Sequence, residues 1–279
     1  MQYTVGLFAT RPVVTVDVDT AFTDALKLMS KHRISCVVVV EDGEAIGILT
    51  ERDIVFASNW VLGQPKLTVR DVMNKPVLTV PEDTSIHKAY EIFAEHNIRH
   101  LIVLDDKLNM GGVFTQTDLV RALRGQIFEG VDDISTLMTS QVLHVPPQVS
   151  ARYALSQMAR RAVSCVVVHD GALPVGVFTE RDVVRLIAEE VDLDQITVGQ
   201  VMSASLLTAP SKMAPSSAIQ LMQKHSVRRL VVVNECSEMV GILTQSDLGR
   251  IVEHFVLPTV EQFPPQLSVT GDDDQRNCV

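Results

Sequence analysis

The sequence predicts an α/β (α+β) protein made of four β-α-β-β-α units, and two observations carry that reading. A strand-to-helix corner recurs as Thr50-Glu51-Arg52-Asp53, Thr115-Gln116-Thr117-Asp118, Thr179-Glu180-Arg181-Asp182 and Thr244-Gln245-Ser246-Asp247. Each corner follows a glycine and two apolar residues, as in Gly47-Ile48-Leu49 and Gly241-Ile242-Leu243. The spacing is equally informative. Sixty-five residues separate Asp53 from Asp118 and Asp182 from Asp247, whereas 129 separate Asp53 from Asp182 and Asp118 from Asp247. Two unlike units therefore alternate, and the pair is duplicated.

The first unit shows why each element is expected. Val13-Val14-Thr15-Val16 is a short β-rich run. Asp19 or Thr20 could then cap a helix in which Phe22, Ala25, Leu26 and Met29 fall on one face. Cys36 to Val40 is continuously apolar and β-branched, the pattern of a strand covered on both faces. Glu41-Asp42-Gly43 is turn chemistry, Ala45 to Leu49 forms the next strand, and Thr50 opens the second helix. The other first helices carry Ile86, Ala89, Tyr90 and Phe93, then Ala151, Ala154, Leu155 and Met158, then Pro215, Ala218, Ile219 and Met222. Pro215 belongs in a first turn, where its missing N–H costs little. A unit this small cannot bury its sheet alone, so neighbouring units should pair. The expected units span 8–60, 72–124, 137–189 and 201–255, with a flexible tail over 258–279 that contains Gly271-Asp272-Asp273-Asp274 and no apolar period.

Composition excludes several classes. With 46% hydrophobic residues in 279 the chain can build real cores, yet its unbroken apolar runs, such as Val37 to Val40, fall far short of the ~20 residues that span a bilayer. The start has no basic and apolar leader pattern. The four cysteines do not form a disulfide framework, which suits a reduced, cytoplasmic setting. A net charge of −10 disfavours nonspecific attraction to nucleic acid or anionic lipid. No nucleophilic elbow, phosphate-binding Walker loop or Cys-x-x-Cys pair is present, so no enzymatic activity is expected. His96 and His100 have metal-pair spacing, but His100 should begin a strand and Arg229 takes its place in the fourth unit.

The fourfold glycine-led Thr-x-x-Asp corner in this element order resembles the cystathionine-β-synthase-type (CBS) domain over residues ~8–255. The resemblance implies that units pair through their sheets into two Bateman modules, and that two modules associate into a flat disk, within one chain or between chains. It further implies adenosine-containing ligands in the clefts. Asp53, Asp118, Asp182 and Asp247 would then hold ribose hydroxyls, and Thr50, Thr115, Thr179 and Thr244 would touch sugar or phosphate. Adenine would lie against the first strands at Thr15, Thr79 and Thr208, and Arg99, His100, Arg228 and Arg229 would reach phosphate.

The residues themselves leave a simpler alternative open. Thr-x-x-Asp at a helix start is a capping box, which explains the threonine, the aspartate and their spacing without a ligand. The expected function is a regulatory sensor with no obligatory cofactor. Its effector is AMP, ADP, ATP or a related adenosyl compound, and a partner protein reads occupancy, with a homodimer expected. The alternative is a ligand-free scaffold whose corners are only caps.

Overall fold

The computed structural model describes residues 3–64, 66–122, 131–171 and 173–249; the expected tail over 258–279 lies outside them. Unit one contains β1 (Thr15–Asp17), α1 (Phe22–His32), β2 (Cys36–Glu41), β3 (Glu44–Thr50) and α2 (Glu51–Val61), followed by the one-turn helix α3 (Val69–Val72). Unit two contains β4 (Thr79–Pro81), α4 (Ile86–His96), β5 (His100–Leu104), β6 (Met110–Thr115) and α5 (Gln116–Ala122). Unit three contains β7 (His144–Val145), α6 (Ala151–Arg161), β8 (Cys165–Asp170), β9 (Leu173–Thr179) and α7 (Glu180–Ala188), followed by α8 (Val198–Val201). Unit four contains β10 (Thr208–Pro210), α9 (Pro215–Lys224), β11 (Arg229–Val233) and β12 (Met239–Thr244), with residues 245–249 helical.

Every unit has the same three-stranded sheet. Its middle strand runs parallel to the first and antiparallel to the third, as β1-β2-β3 illustrates. The helices form as their spacing predicts, burying Phe22, Ala25, Leu26 and Met29 in α1 and the matching sets in α4, α6 and α9. One detail differs. The cap of α1 is Ala21, without a side-chain hydrogen bond, because Asp19 and Thr20 sit in the preceding turn where Asp17 accepts from the Asp19 amide. Ser85 and Ser150 do cap α4 and α6.

The corner glycines have a packing cause that punctuation alone does not reveal. A Cβ on Gly47 would stand 2.9 Å from the Asn74 carbonyl oxygen, and one on Gly241 3.1 Å from that of Thr139. The backbone after α3 crosses the sheet there, pairing Asn74 with Ile48, and Thr139 pairs with Ile242 in the same way. Close backbone approach requires glycine at these places. The chain segments are also shared between units. Thr10 bridges to Val113, and Val5 is buried in the core of unit two, so residues preceding β1 complete the neighbouring unit.

The units form two Bateman modules. Val38 on β2 packs with Ile102 and Val113 of unit two, and Cys165 and Val167 of unit three pack with Val231 and Ile242 of unit four. The modules then meet through helices. α1 and α2 share one core with α6 and α7, while Val120 of α5 enters the core of unit four. Units one and three therefore face each other, as do units two and four, within a single chain.

Candidate functional site

All four corners fold as capping boxes. The amides of Thr50, Thr115, Thr179 and Thr244 donate to Oδ2 of Asp53, Asp118, Asp182 and Asp247 at 2.8, 3.0, 2.9 and 2.8 Å. Each aspartate amide returns a hydrogen bond to its threonine hydroxyl. One carboxylate oxygen per corner is thus committed to holding the helix start. The corners differ in what meets the other oxygen. Oδ1 of Asp118 lies 3.2 Å from the Arg121 guanidinium, Oδ1 of Asp182 lies 3.7 Å from that of Arg185, and Oδ1 of Asp247 accepts from the Thr139 hydroxyl at 3.3 Å. Asp53 instead faces the Asn74 amide, and both residues border a cavity of about 660 Å³. Burial raises the Asp53 pKa, opposed by the Thr50 hydroxyl and amide, by Asn74 and by Arg52.

That volume lies inside the ~300–1,000 Å³ common for small-molecule sites. Its lining combines an apolar set, Ile48, Phe56, Pro76, Val77 and Leu78, with the Thr50–Asp53 corner. It also includes Arg52, Arg99, Arg228 and Arg229 together with Gln116, Thr117, Gln245 and Ser246, which are hydrogen-bonded across the two modules. Helix starts from all four units line the cavity; their first amides donate to the carbonyls of Ser35, Arg99, Ser164 and Arg228 and their third to the capping threonines, so what they add is the positive end of each helix dipole.

A pseudo-twofold network joins the two modules here. Arg99 donates to Glu180 at 2.8 Å, and Arg228, its equivalent 129 residues on, donates to Glu51 at 3.2 Å. Thr117 donates to Gln245 at 2.6 Å, and Ser246 donates to Gln116 at 2.9 Å. Arg181 adds a second hydrogen bond to Glu51 at 3.1 Å. The two glutamates are only 4% and 5% exposed. They join the modules by charge-assisted hydrogen bonds between residues 81 and 177 positions apart.

The symmetry breaks at His100 and Arg229. Nε2 of His100 lies 2.9 Å from the Ser35 hydroxyl, whereas Arg229 donates to the Ser164 carbonyl at 3.2 Å. Burial, then Arg99, Arg228 and Arg52, push the His100 pKa down to about 3, so the imidazole is neutral at physiological pH. Cys36 is inert as a nucleophile, since burial and the nearby Glu51 push its thiol up to about 12.

The cavity brings together Thr50, Asp53, Arg99, His100, Thr115, Arg228, Arg229 and Thr244. Asp118, Thr179, Asp182 and Asp247 are not among its lining residues. Thr15, Thr79 and Thr208 are also absent from it and stand exposed at the first residues of β1, β4 and β10. Glu51, Glu180, Asn74 and Phe56 were not anticipated as site residues. Glu51 and Glu180 do carry a sequence signal, since they are the charged counterparts of Gln116 and Gln245 in the alternating corner. Among the described residues there is no group of three or more His, Cys, Asp or Glu side chains able to hold a metal, and no helix long and apolar enough to cross a membrane.

Fourfold sheets of this topology, glycine-led corners and helix-paired modules define a class, and comparison with known families agrees. The CBS domain family model matches residues 5–59, 69–125, 131–189 and 198–254, and the chain belongs to that family. Protein MJ1225 of Methanocaldococcus jannaschii is 25% identical over 266 residues, covering 85% of this chain and 94% of that protein. The meiotically up-regulated gene 70 protein of Schizosaccharomyces pombe is 26% identical over 318 residues; the match covers 90% of this chain but only 43% of that relative. The crystal structure of MJ1225 shares the fold with a TM-score of 0.76 at 22% identity, over 89% of this chain and 99% of the other.

Proposed function

We propose that the chain is a regulatory sensor, not an enzyme, that binds an adenosine 5′-phosphate in the cavity beside the Thr50–Asp53 corner. The observation that carries this reading is the joining of a ribose-competent carboxylate to an arginine cluster in one 660 Å³ space. The base would lie between Phe56, Ile48, Val77 and Leu78, displaced from the Thr79 position that the family resemblance suggests. Asp53 would keep its cap through one oxygen and accept ribose hydroxyls with the other, since a carboxylate has acceptor capacity for both. Arg99, Arg228 and Arg229 would hold phosphate, and His100 would contribute a neutral hydrogen-bonding edge. Asp118, Asp182 and Asp247, with their threonines, would serve chiefly as caps.

Because the arginines also bridge the modules, phosphate binding would redistribute the Arg99–Glu180 and Arg228–Glu51 contacts and bias how the modules sit. An effector protein would read that difference. A homodimer would use surfaces outside the α1, α2, α6 and α7 faces, which the chain already covers itself. A cytoplasmic setting belongs to the same proposal.

A panel of adenine compounds tests it. At a concentration of 100 Kd, AMP should stabilise the protein by ~2.7 kcal/mol, visible as a raised Tm, while free adenine should do little. Equal responses to adenine and AMP would remove the phosphate part of the reading. No response to any adenosine phosphate would favour the ligand-free scaffold.

A further inference from the structure

The cavity is cationic in appearance but nearly balanced in charge. Among the described residues its lining includes four arginines, Arg52, Arg99, Arg228 and Arg229, against three carboxylates, Glu51, Asp53 and Glu180, leaving one formal positive charge with the histidines counted neutral; Arg181, paired with Glu51 at 3.1 Å from outside the lining, adds a second. His100 adds none, because burial and then the guanidiniums of Arg99, Arg228 and Arg52 keep it neutral. A phosphate monoester carries roughly two negative charges near neutral pH. A triphosphate carries about two more and would leave the filled cavity strongly negative.

Glu51 and Glu180 create that balance, and capping does not require them. The equivalent positions in units two and four are Gln116 and Gln245, which begin helices by the same Thr-x-x-Asp box. A neutral amide therefore satisfies the local geometry at this place. The glutamates also cannot turn away from the site freely. Each is buried and holds arginine from the opposite module, Arg181 and Arg228 on Glu51 and Arg99 on Glu180.

Resting on the proposed nucleotide site, we infer that Glu51 and Glu180 are specificity-determining residues. They offset two of the three positive charges of Arg99, Arg181 and Arg228 and so limit the phosphate charge the cavity accepts, selecting the adenosine monophosphate over the triphosphate. Groups at like charge within a few ångströms in a partly buried site repel strongly enough to set such a preference. Helix N-termini and the remaining arginines attract both ligands, so it is the ratio of affinities that isolates the glutamates.

The experiment is calorimetric titration of AMP and ATP, with EDTA present so that no divalent ion masks the triphosphate. Wild type, Glu51→Gln, Glu180→Gln and Arg229→Gln are compared. The glutamine variants copy residues that the chain already uses at equivalent corners. Wild type should bind AMP at least tenfold more tightly than ATP. Each glutamate variant should narrow that ratio about tenfold, while Arg229→Gln should widen it, giving a readout in the opposite direction if a glutamate variant fails to fold. AMP binding with the same AMP-to-ATP ratio in all the proteins would overturn the inference and leave the nucleotide site standing. Failure of wild type to bind either nucleotide would overturn both.

Discussion

Glu51→Ala should cost about 2 kcal/mol of stability, between an exposed pair and a fully buried one, because the carboxylate is buried but its arginine partners are 43% and 32% exposed. The residue is 4% exposed, with Oε1 accepting from Arg181 and Oε2 from Arg228. Both donors come from the second module. Alanine leaves half-buried Arg228 without a carboxylate and beside the like charges of Arg181 and Arg229. Glu51→Gln keeps an acceptor oxygen and should lose clearly less. Urea denaturation of the two variants checks this. A loss below ~1 kcal/mol for alanine would show that the cross-module bridge behaves as an ordinary surface pair.

Acidification should destabilise the protein through His100. The unfolded imidazole takes a proton as pH falls through about 6.5, whereas the folded one resists until about 3. Stability is therefore fully present above 6.5 and is lost progressively below it, by ~1.4 kcal/mol per pH unit for this single group. The cause is burial first, then the guanidiniums of Arg99, Arg228 and Arg52 around the ring; the Ser35 hydroxyl faces Nε2. Asp53, Asp118 and Asp182 act in the opposite sense. Burial raises their folded pKa values, so they favour folding as they protonate and lose that contribution as pH rises. The informative quantity is wild type against His100→Gln, which cancels the shared carboxylates. The difference in unfolding free energy should shrink steadily from pH 6.5 to 4.5. Parallel pH profiles would show that His100 is solvated or paired.

Much of the architecture is legible in the sequence because it is local. Valine runs such as Val37 to Val40, helix faces such as Ala151, Ala154, Leu155 and Met158, and the Thr-x-x-Asp corners depend on neighbours a few residues away. The repeat distances then imply the modules. What the sequence hides is what faces what. Nothing local says that Arg228 reaches Glu51, because the partnership exists only after two modules have docked. The corner glycines read as punctuation, yet Gly47 is small because the Asn74 backbone passes over it. The corners look alike in sequence. They are distinguished by Arg121, Arg185, Thr139 or Asn74 at the second carboxylate oxygen, and those partners lie either within the helix or in a crossing segment. The exposure of Thr15, Thr79 and Thr208 likewise follows from a sheet face that alternation alone leaves undecided.

Calorimetric titration of AMP into wild type, Asp53→Asn and Asp182→Asn bears most directly on the proposal that one corner has become a nucleoside site. Asparagine preserves size and one acceptor, so each variant should lose only about 0.5–1 kcal/mol of ligand-free stability through its cap. Hydrogen bonds to a charged acceptor are worth ~1.5–3 kcal/mol, so Asp53→Asn should weaken AMP tenfold or more. Asp182→Asn, whose carboxylate meets Arg185 rather than the cavity, should bind AMP nearly as wild type does. Normal AMP affinity in Asp53→Asn, with an earlier melt, would contradict the account and leave all four corners as helix caps.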